Sequence, residues 1–305
     1  MSSDGRDPLG DVLALLRPEA VLAAELRAHG RWSLAFDRQP AVKFGVVVEG
    51  ECLIAVQGRP AKTLRAGDLF LLGGPPPFVL ASDLKAPSRN GQRLLSAATA
   101  RVVRIGDLRM KPITRVIGGH FVLDPPNAHL LAAALPPFVR IAAEEPSPLR
   151  ELIPLLIEEV RSTQLGRERA LDHLAQLVLI ETLRRIDLVG KTPHTGWLRA
   201  LADPQVGAAL RHIHAKLDVG TSLPALARVA GMSRTAFAAR FKALVGQPPH
   251  TYAVQWKMSV AKDALRKTTR AIGALAFELG YASESAFSMA FRREVGCSPR
   301  AYRRG

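Results

Sequence analysis

The chain changes texture along its length. From about residue 31 to residue 123, short apolar runs are broken by Gly, Pro and Asp: WSLAF, VKFGVVVEG, ECLIAVQG, KTLRAGDLFLL, FVLAS, RLLSAA, RVVRIG and TRVIGGHFVLD. Regular spacing with turn residues between the runs predicts an antiparallel barrel or sandwich. Gly50 and Gly58 are expected hairpin turns, and Ala66, Gly67 and Asp68 another. Ahead of this region, residues 11–26 carry a helical pattern (Val12, Leu15, Leu16) broken by Pro18. Beyond Pro125 the helical period returns. Asn127 is placed to cap a short helix over 128–135, and amphipathic helices are expected over 148–165 and 167–189. The polar GKTPHTG at 190–196 reads as a linker. Val206, Leu210, Ile213 and Leu217 then form a helical stripe.

The stretch 223–299 contains one pattern twice. The first copy is Leu223, Leu226, Ala227, Gly231, Ser233, Phe237, Phe241, Gly246; the second is Ile272, Leu275, Ala276, Gly280, Ser283, Phe287, Phe291, Gly296. The offset is 49 residues up to the glycines at 231 and 280 and 50 from the serines onward, so the second copy has one extra turn residue. Such self-similarity outranks other local signals. Each copy has the physics of a helix-turn-helix. An apolar face three and four residues apart makes a short helix. A glycine permits the turn, and a serine caps the next helix. Two phenylalanines form that helix's buried stripe, and a glycine ends it. The motifs are expected over 222–243 and 270–293. Between them, 251–267 reads as one helix, about 16 residues or ~24 Å long.

Charge supports this reading. The formal net charge is +15. From Val206 onward there are 16 Lys and Arg against 5 Asp and Glu, and before it 26 against 22. The basic excess therefore coincides with the repeat, the footprint of a polyanion-binding surface. Cys52 and Cys297 offer neither metal spacing nor a disulfide framework. No leader-like segment opens the chain, and no apolar run approaches a membrane span. A cytoplasmic protein with no membrane association is expected.

The segments GMSRTAFAARFKALVGQPP (231–249) and GYASESAFSMAFRREVGCSPRAYRR (280–304) closely resemble the DNA-binding domain of the AraC/XylS family of transcription regulators. VVVEGECLIAVQG and LRAGDLFLL resemble the cupin-like sensor found upstream of many such domains. RVIGGHFVLD, LLAAALPPFVRI and GWLRALADPQVGAALRHIHA look like one subgroup of that family. The fold class so implied is α+β: an N-terminal cupin-like β-barrel with flanking helices, then an all-α domain of two helix-turn-helix motifs. The expected domains are a sensor and dimerisation domain over 1–190, a linker over 191–205 and a DNA-binding domain over 206–305. The resemblance implies a sequence-specific, effector-responsive regulator and favours activation. Its partners would be double-stranded DNA, a small-molecule effector, RNA polymerase and a second copy of the chain.

The second helix of each motif is expected in the major groove. With the phenylalanines facing inward, Arg234, Thr235, Ala238 and Ala239 are the candidate base readers of the first motif. Glu284, Ser285, Ser288 and Met289 are those of the second. Family members commonly carry a basic residue where Met289 stands. Ser233, Arg240, Lys242, Lys257, Ser283, Arg292 and Arg293 are the candidate phosphate contacts, with Lys262, Arg303 and Arg304 as further ones. A metal-binding cupin needs a His-x-His pair, a carboxylate and a later His. Residues 44–51 and 73–80 hold no His, and Glu49 alone is not a site. Neither metal nor cofactor is expected, which leaves the barrel as an organic-ligand pocket, a dimer surface or both. Its effector-binding residues are not assigned. His29 and His129 read as surface or cap residues, His120 as a barrel residue, and His212 and His214 as facing different ways. No catalytic motif is present, and an enzyme is not expected. Two other classes compete: a small-molecule-binding or catalytic cupin with an incidental helical domain, and an architectural DNA-binding protein.

Overall fold

The computed structural model describes residues 7–22, 25–38, 42–74, 76–96, 102–110, 112–132, 134–143, 147–189, 195–218 and 221–304. The chain opens with helix α1 (Pro8–Leu16) and strands β1 (Glu19–Leu22), β2 (Glu25–His29), β3 (Ser33–Phe36) and β4 (Val42–Val56). Strands β5 (Lys62–Arg65), β6 (Leu69–Gly73), β7 (Phe78–Ala81) and β8 (Arg89–Asn90) follow. Next come α2 (Gly91–Ser96), β9 (Val102–Gly106), β10 (Pro112–Val122), α3 (His129–Ala132) and β11 (Val139–Ile141). The rest is helical: α4 (Leu149–Arg161), α5 (Arg167–Val189), α6 (Trp197–Ala200), α7 (Pro204–Ala215) and α8 (Leu223–Val229). It ends with α9 (Arg234–Val245), α10 (Pro249–Lys267), α11 (Ile272–Glu278), α12 (Glu284–Val295) and α13 (Pro299–Arg304). These elements form two compact units.

One unit takes residues 18–123 and 135–193. Its strands curl into a half-barrel whose organiser is β4. The first half of β4 pairs with β10 and β6, and its second half with β5 and β7. Gly50, expected in a hairpin turn, lies instead inside this continuous strand. It has φ +73 and stands opposite Thr114, beside a register shift between Arg115 and Val116. It is a bend that hands the strand from one set of partners to the other. Gly58 and Gly67 do sit in turns with positive φ. Asp68 locks its turn by accepting from the Arg65 and Ala143 amides and from Arg140 Nε at 2.8–3.1 Å. The buried Glu25 accepts from Arg27 at 2.9 Å and Arg115 at 2.7 Å. Burial alone would raise its pKa; the two guanidiniums outweigh this and hold it below the usual carboxylate range.

Two expectations fail here. The helical pattern over 11–26 stops at Leu16, where Arg17 takes a left-handed conformation before Pro18. The residues after it form β1 and β2, which pair with successive stretches of the same edge of β10, opposite β4. RLLSAA, expected as a strand, begins as α2, with Asn90 Oδ1 accepting from the Arg93 amide at its start. Tertiary pairing and a cap override the local apolar pattern. The amphipathic α4 and α5 cover the sheet: Leu156, Val160 and Leu171 pack with Ile117 of β10. That burial satisfies their apolar faces without a second chain, leaving Leu155 and Leu177 exposed.

The other unit takes residues 1–17, 124–134 and 194–305. It is discontinuous in sequence, unlike the contiguous division expected. The early segments are fastened to the late helices by specific bonds. Trp197 Nε1 donates to the Leu130 carbonyl at 2.9 Å, and Arg266 pairs with Asp124 at 2.6 Å. Helix α1, capped by Asp7, packs on α7 and α10. His214, read as merely facing away from His212, is fully buried. It stacks on Trp256 at 3.9 Å and shares a 2.9 Å hydrogen bond with the Tyr252 hydroxyl. Asn127 is buried too, but its side chain accepts no capping bond.

The turn glycines of the two motifs differ in their surroundings. Both have positive φ, +63 at Gly231 and +78 at Gly280. A Cβ at 231 would meet nothing, whereas one at 280 would stand 2.0 Å from the Asp218 carbonyl oxygen. Gly231→Ala should therefore cost about 1–2 kcal/mol, the left-handed penalty alone. Gly280→Ala must also displace backbone, and should cost on the order of 3 kcal/mol or more. Thermal melts of the two full-length variants check the ranking, and equal melting temperatures would refute it.

Candidate nucleic-acid interface and barrel cavity

Each recognition helix is built the same way. Ser233 and Ser283 adopt extended backbone and accept from the amides of Ala236 and Ala286 at 3.3 and 3.1 Å. Gly246 and Gly296 end the helices at φ +91. Phe237 and Phe241, and likewise Phe287 and Phe291, are completely buried with ring centres 5.6 Å apart. The next repeat-related pair, absent from the sequence reading, is Tyr252 and Tyr302. Tyr252 meets Phe241 at 5.9 Å, and Tyr302 meets Phe291 at 5.5 Å.

This burial leaves Arg234, Thr235 and Ala239 exposed on α9 and Ala238 half-buried. On α12, Ser285 and Met289 are exposed, while Glu284 and Ser288 are half-buried. Met289, at 71% exposure, is a large apolar side chain held in solvent. Glu284 stands in the first turn of α12, where the helix dipole favours a carboxylate. Its Oε1 lies 3.6 Å from Arg300.

The cations divide into two sets. Lys242 and Arg292, in the last turns of the recognition helices, are exposed, as are Arg304 and Arg293, the latter donating through Nε to the adjacent Glu294 at 3.0 Å. Arg240 instead donates through Nε and Nη2 to Asp203 at 3.0 and 2.5 Å. Asp203 is the cap of α7, and its two guanidinium bonds hold it below the usual carboxylate range against the opposing effect of burial. Lys262 donates to the Pro126 carbonyl, and Arg303 to that of Arg270. Lys257 is half-buried, with Nζ 5.8 Å from the centre of the Tyr281 ring, and burial lowers its pKa.

In the other unit, a cavity of about 680 Å³ opens between the sheet, α2 and the start of α5. Phe36, Phe44, Phe70 and Phe78 line it, with Lys43, Gln92 and Arg167 among its polar groups. The sequence does not mark these polar residues as cavity groups; the visible signal is a lone lysine in the apolar run VKFGVVV. Glu49 pairs with Arg115 at 3.2 Å. His29 is buried and bonded to the Met110 carbonyl at 2.6 Å, not at the surface as expected. His129 is exposed, as expected. Among the described residues no group of His, Cys, Asp and Glu is arranged to hold a metal ion. No helix among them is long and apolar enough to cross a membrane.

Comparison with known proteins agrees with this geometry. A cupin family model matches residues 7–186, and a helix-turn-helix domain model matches residues 226–305. The chain is 36% identical over 301 residues to a protein of Streptomyces antibioticus named an AraC-like transcription regulator, covering 98% of both. It is 35% identical over 303 residues to one of the same name from Streptomyces lividans, again covering 98% of both. The transcriptional regulator AlkR of Acinetobacter baylyi is 26% identical over 286 residues, 91% of this chain and 92% of that one.

The two thiols should differ sharply. Cys52 is 2% exposed, and burial, with Asp68 and Glu51 nearby, pushes its pKa up to about 12. At pH 8 it is therefore almost wholly the unreactive thiol. Cys297 is half-buried. A native-state thiol titration at pH 8 should label Cys297 and spare Cys52 until denaturant is added. Rapid native labelling of both would contradict the burial of Cys52.

Proposed function

The chain belongs to the AraC family of transcription regulators, and on that premise we propose that it is a cytoplasmic, effector-responsive activator. In this reading it recognises two successive major-groove segments, one per helix-turn-helix motif. The observation that carries the reading is the repeated recognition helix: same cap, same buried phenylalanines, same glycine stop, and an outward face left in solvent. Arg234, Thr235, Ala238 and Ala239 read bases in the first segment; Glu284, Ser285, Ser288 and Met289 read them in the second. Arg234 suits guanine, the alanine methyls suit thymine methyl groups, and Glu284 suits the amino group of cytosine. Ser233, Ser283, Lys242, Arg292 and Arg293 contact phosphates. Lys257 joins them from α10, and Arg240 does so by exchanging Asp203 for a phosphate. The domains act as sensor (1–190), linker (191–205) and DNA reader (206–305), with 1–17 and 124–134 bracing the reader. The barrel cavity holds an organic effector. The exposed Leu155 and Leu177 lie on a surface available for homodimerisation, and RNA polymerase is the downstream partner.

Selection of full-length protein on randomised duplex DNA tests this. A two-segment consensus is expected, with affinity that falls steeply as salt rises. Retention of DNA without any consensus would favour an architectural role instead. Glu284→Gln should change preference at one position of the second segment, by about 1–3 kcal/mol. Unchanged preference would assign Glu284 to the helix dipole and Arg300 alone.

A further inference from the structure

The barrel cavity carries more positive charge than its walls answer. Lys43 projects from the apolar first half of β4. Its Nζ donates to Gln92 Oε1 at 3.0 Å and lies 5.2 and 5.8 Å from the ring centres of Phe36 and Phe78. Those two rings stack on each other at 4.6 Å. Burial lowers the pKa of Lys43. Arg167, at the start of α5, is the second cation of the wall. Its Nη2 donates to the Val160 carbonyl at 2.9 Å, but its Nε is buried with no hydrogen-bond partner. Glu168 is the one carboxylate in the lining among the described residues. His120 faces Lys43 in the strand ladder, and burial and that lysine both lower its pKa, so it adds no charge near neutrality. Among the described residues two cations therefore stand against one carboxylate, in a cavity walled mainly by phenylalanine and aliphatic side chains, with Gln92, Ser96 and His120 as its uncharged polar groups.

Resting on the reading of this cavity as the effector site, we infer that it takes an organic monoanion: a carboxylate on an apolar body bearing a ring or chain. The carboxylate meets Lys43, and the body lies along the phenylalanines. A neutral apolar ligand would shield the ammonium from water while adding no counter-charge to it, which is costly. A cationic ligand would be repelled by Lys43 and Arg167. A monoanion offsets the surplus of one positive charge, and the cavity lies within the ordinary size range of small-molecule sites.

Titration calorimetry on the full-length protein tests this with 4-phenylbutanoate, its neutral amide and 4-phenylbutylamine. Wild type should bind the acid about tenfold or more tighter than the amide, and the amine least. Lys43→Met should reduce acid affinity to the level of the amide, while Lys43→Arg keeps the acid preference. Circular dichroism melts confirm that both variants fold. Equal binding of acid and amide, or an acid preference that survives Lys43→Met, overturns the inference while leaving a ligand cavity in place. Binding of none of the three by wild type overturns it as well. The effector reading is tested separately by Leu95→Trp, which fills the cavity. If promoter regulation by that variant is unaltered, the cavity is not the effector site.

Discussion

The rotation of each recognition helix is set by two phenylalanines one turn apart. Positions i and i+4 share one face of a helix, and here that face is fully buried in both motifs. Once the pair is buried, every other side chain of the helix has its direction assigned. The serine cap and the glycine stop then fix where the helix begins and ends. Tyr252 and Tyr302 extend the same aromatic contact beyond the glycines, so the repeated unit is longer than helix-turn-helix alone. It includes the start of α10 in the first copy and α13 in the second.

These devices are local, which is why the helical repeat was legible in the sequence. Caps, stops and a period of 3.6 residues need only neighbours along the chain. The barrel was legible as a class but not in detail. Gly50 became a bend because β4 continues from one set of strand partners to another, and those partners lie far away in sequence. Residues 19–22 and 25–29 became strands because β10 offers them the edge that β4 leaves open, 83 to 103 positions later. The Glu25–Arg115 pair and the Lys43–Gln92 bond span 90 and 49 positions. The discontinuity of the helical unit has the same origin, since Asp124 and Leu130 reveal nothing of Arg266 and Trp197 until the chain is folded.

Local net charge also overstates how much of the basic excess faces outward. Arg240, Lys262, Arg266, Lys267 and Arg303 all bond within their own unit. Arg266 and Lys262 hold the 124–134 segment. Exposed ion pairs are individually weak, so Arg240 can release Asp203 for a stronger partner. The half-buried Lys262 is less free to do so. Under the proposed reading, the phosphate contacts fall mainly to Lys242, Arg292 and Arg293. The first two occupy matching positions in the two motifs.

That matching extends across the whole helix face and separates scaffold from reader. At an offset of 50, Ser233 corresponds to Ser283, Phe237 to Phe287, Phe241 to Phe291, Lys242 to Arg292 and Gly246 to Gly296. The cap, the core, one terminal cation and the stop are thus chemically equivalent. The candidate base readers are mostly not. Arg234 is matched by Glu284, opposite in sign at the same helical position. Ala238 is matched by Ser288, and Ala239 by Met289; only Thr235 and Ser285 are chemically alike. Two equal scaffolds carrying unequal faces would be redundant for a protein that only gathers phosphates. A donor cannot replace an acceptor against a base edge. The divergence therefore has a physical use if the two helices read different bases, and that asymmetry favours sequence-specific recognition over an architectural role.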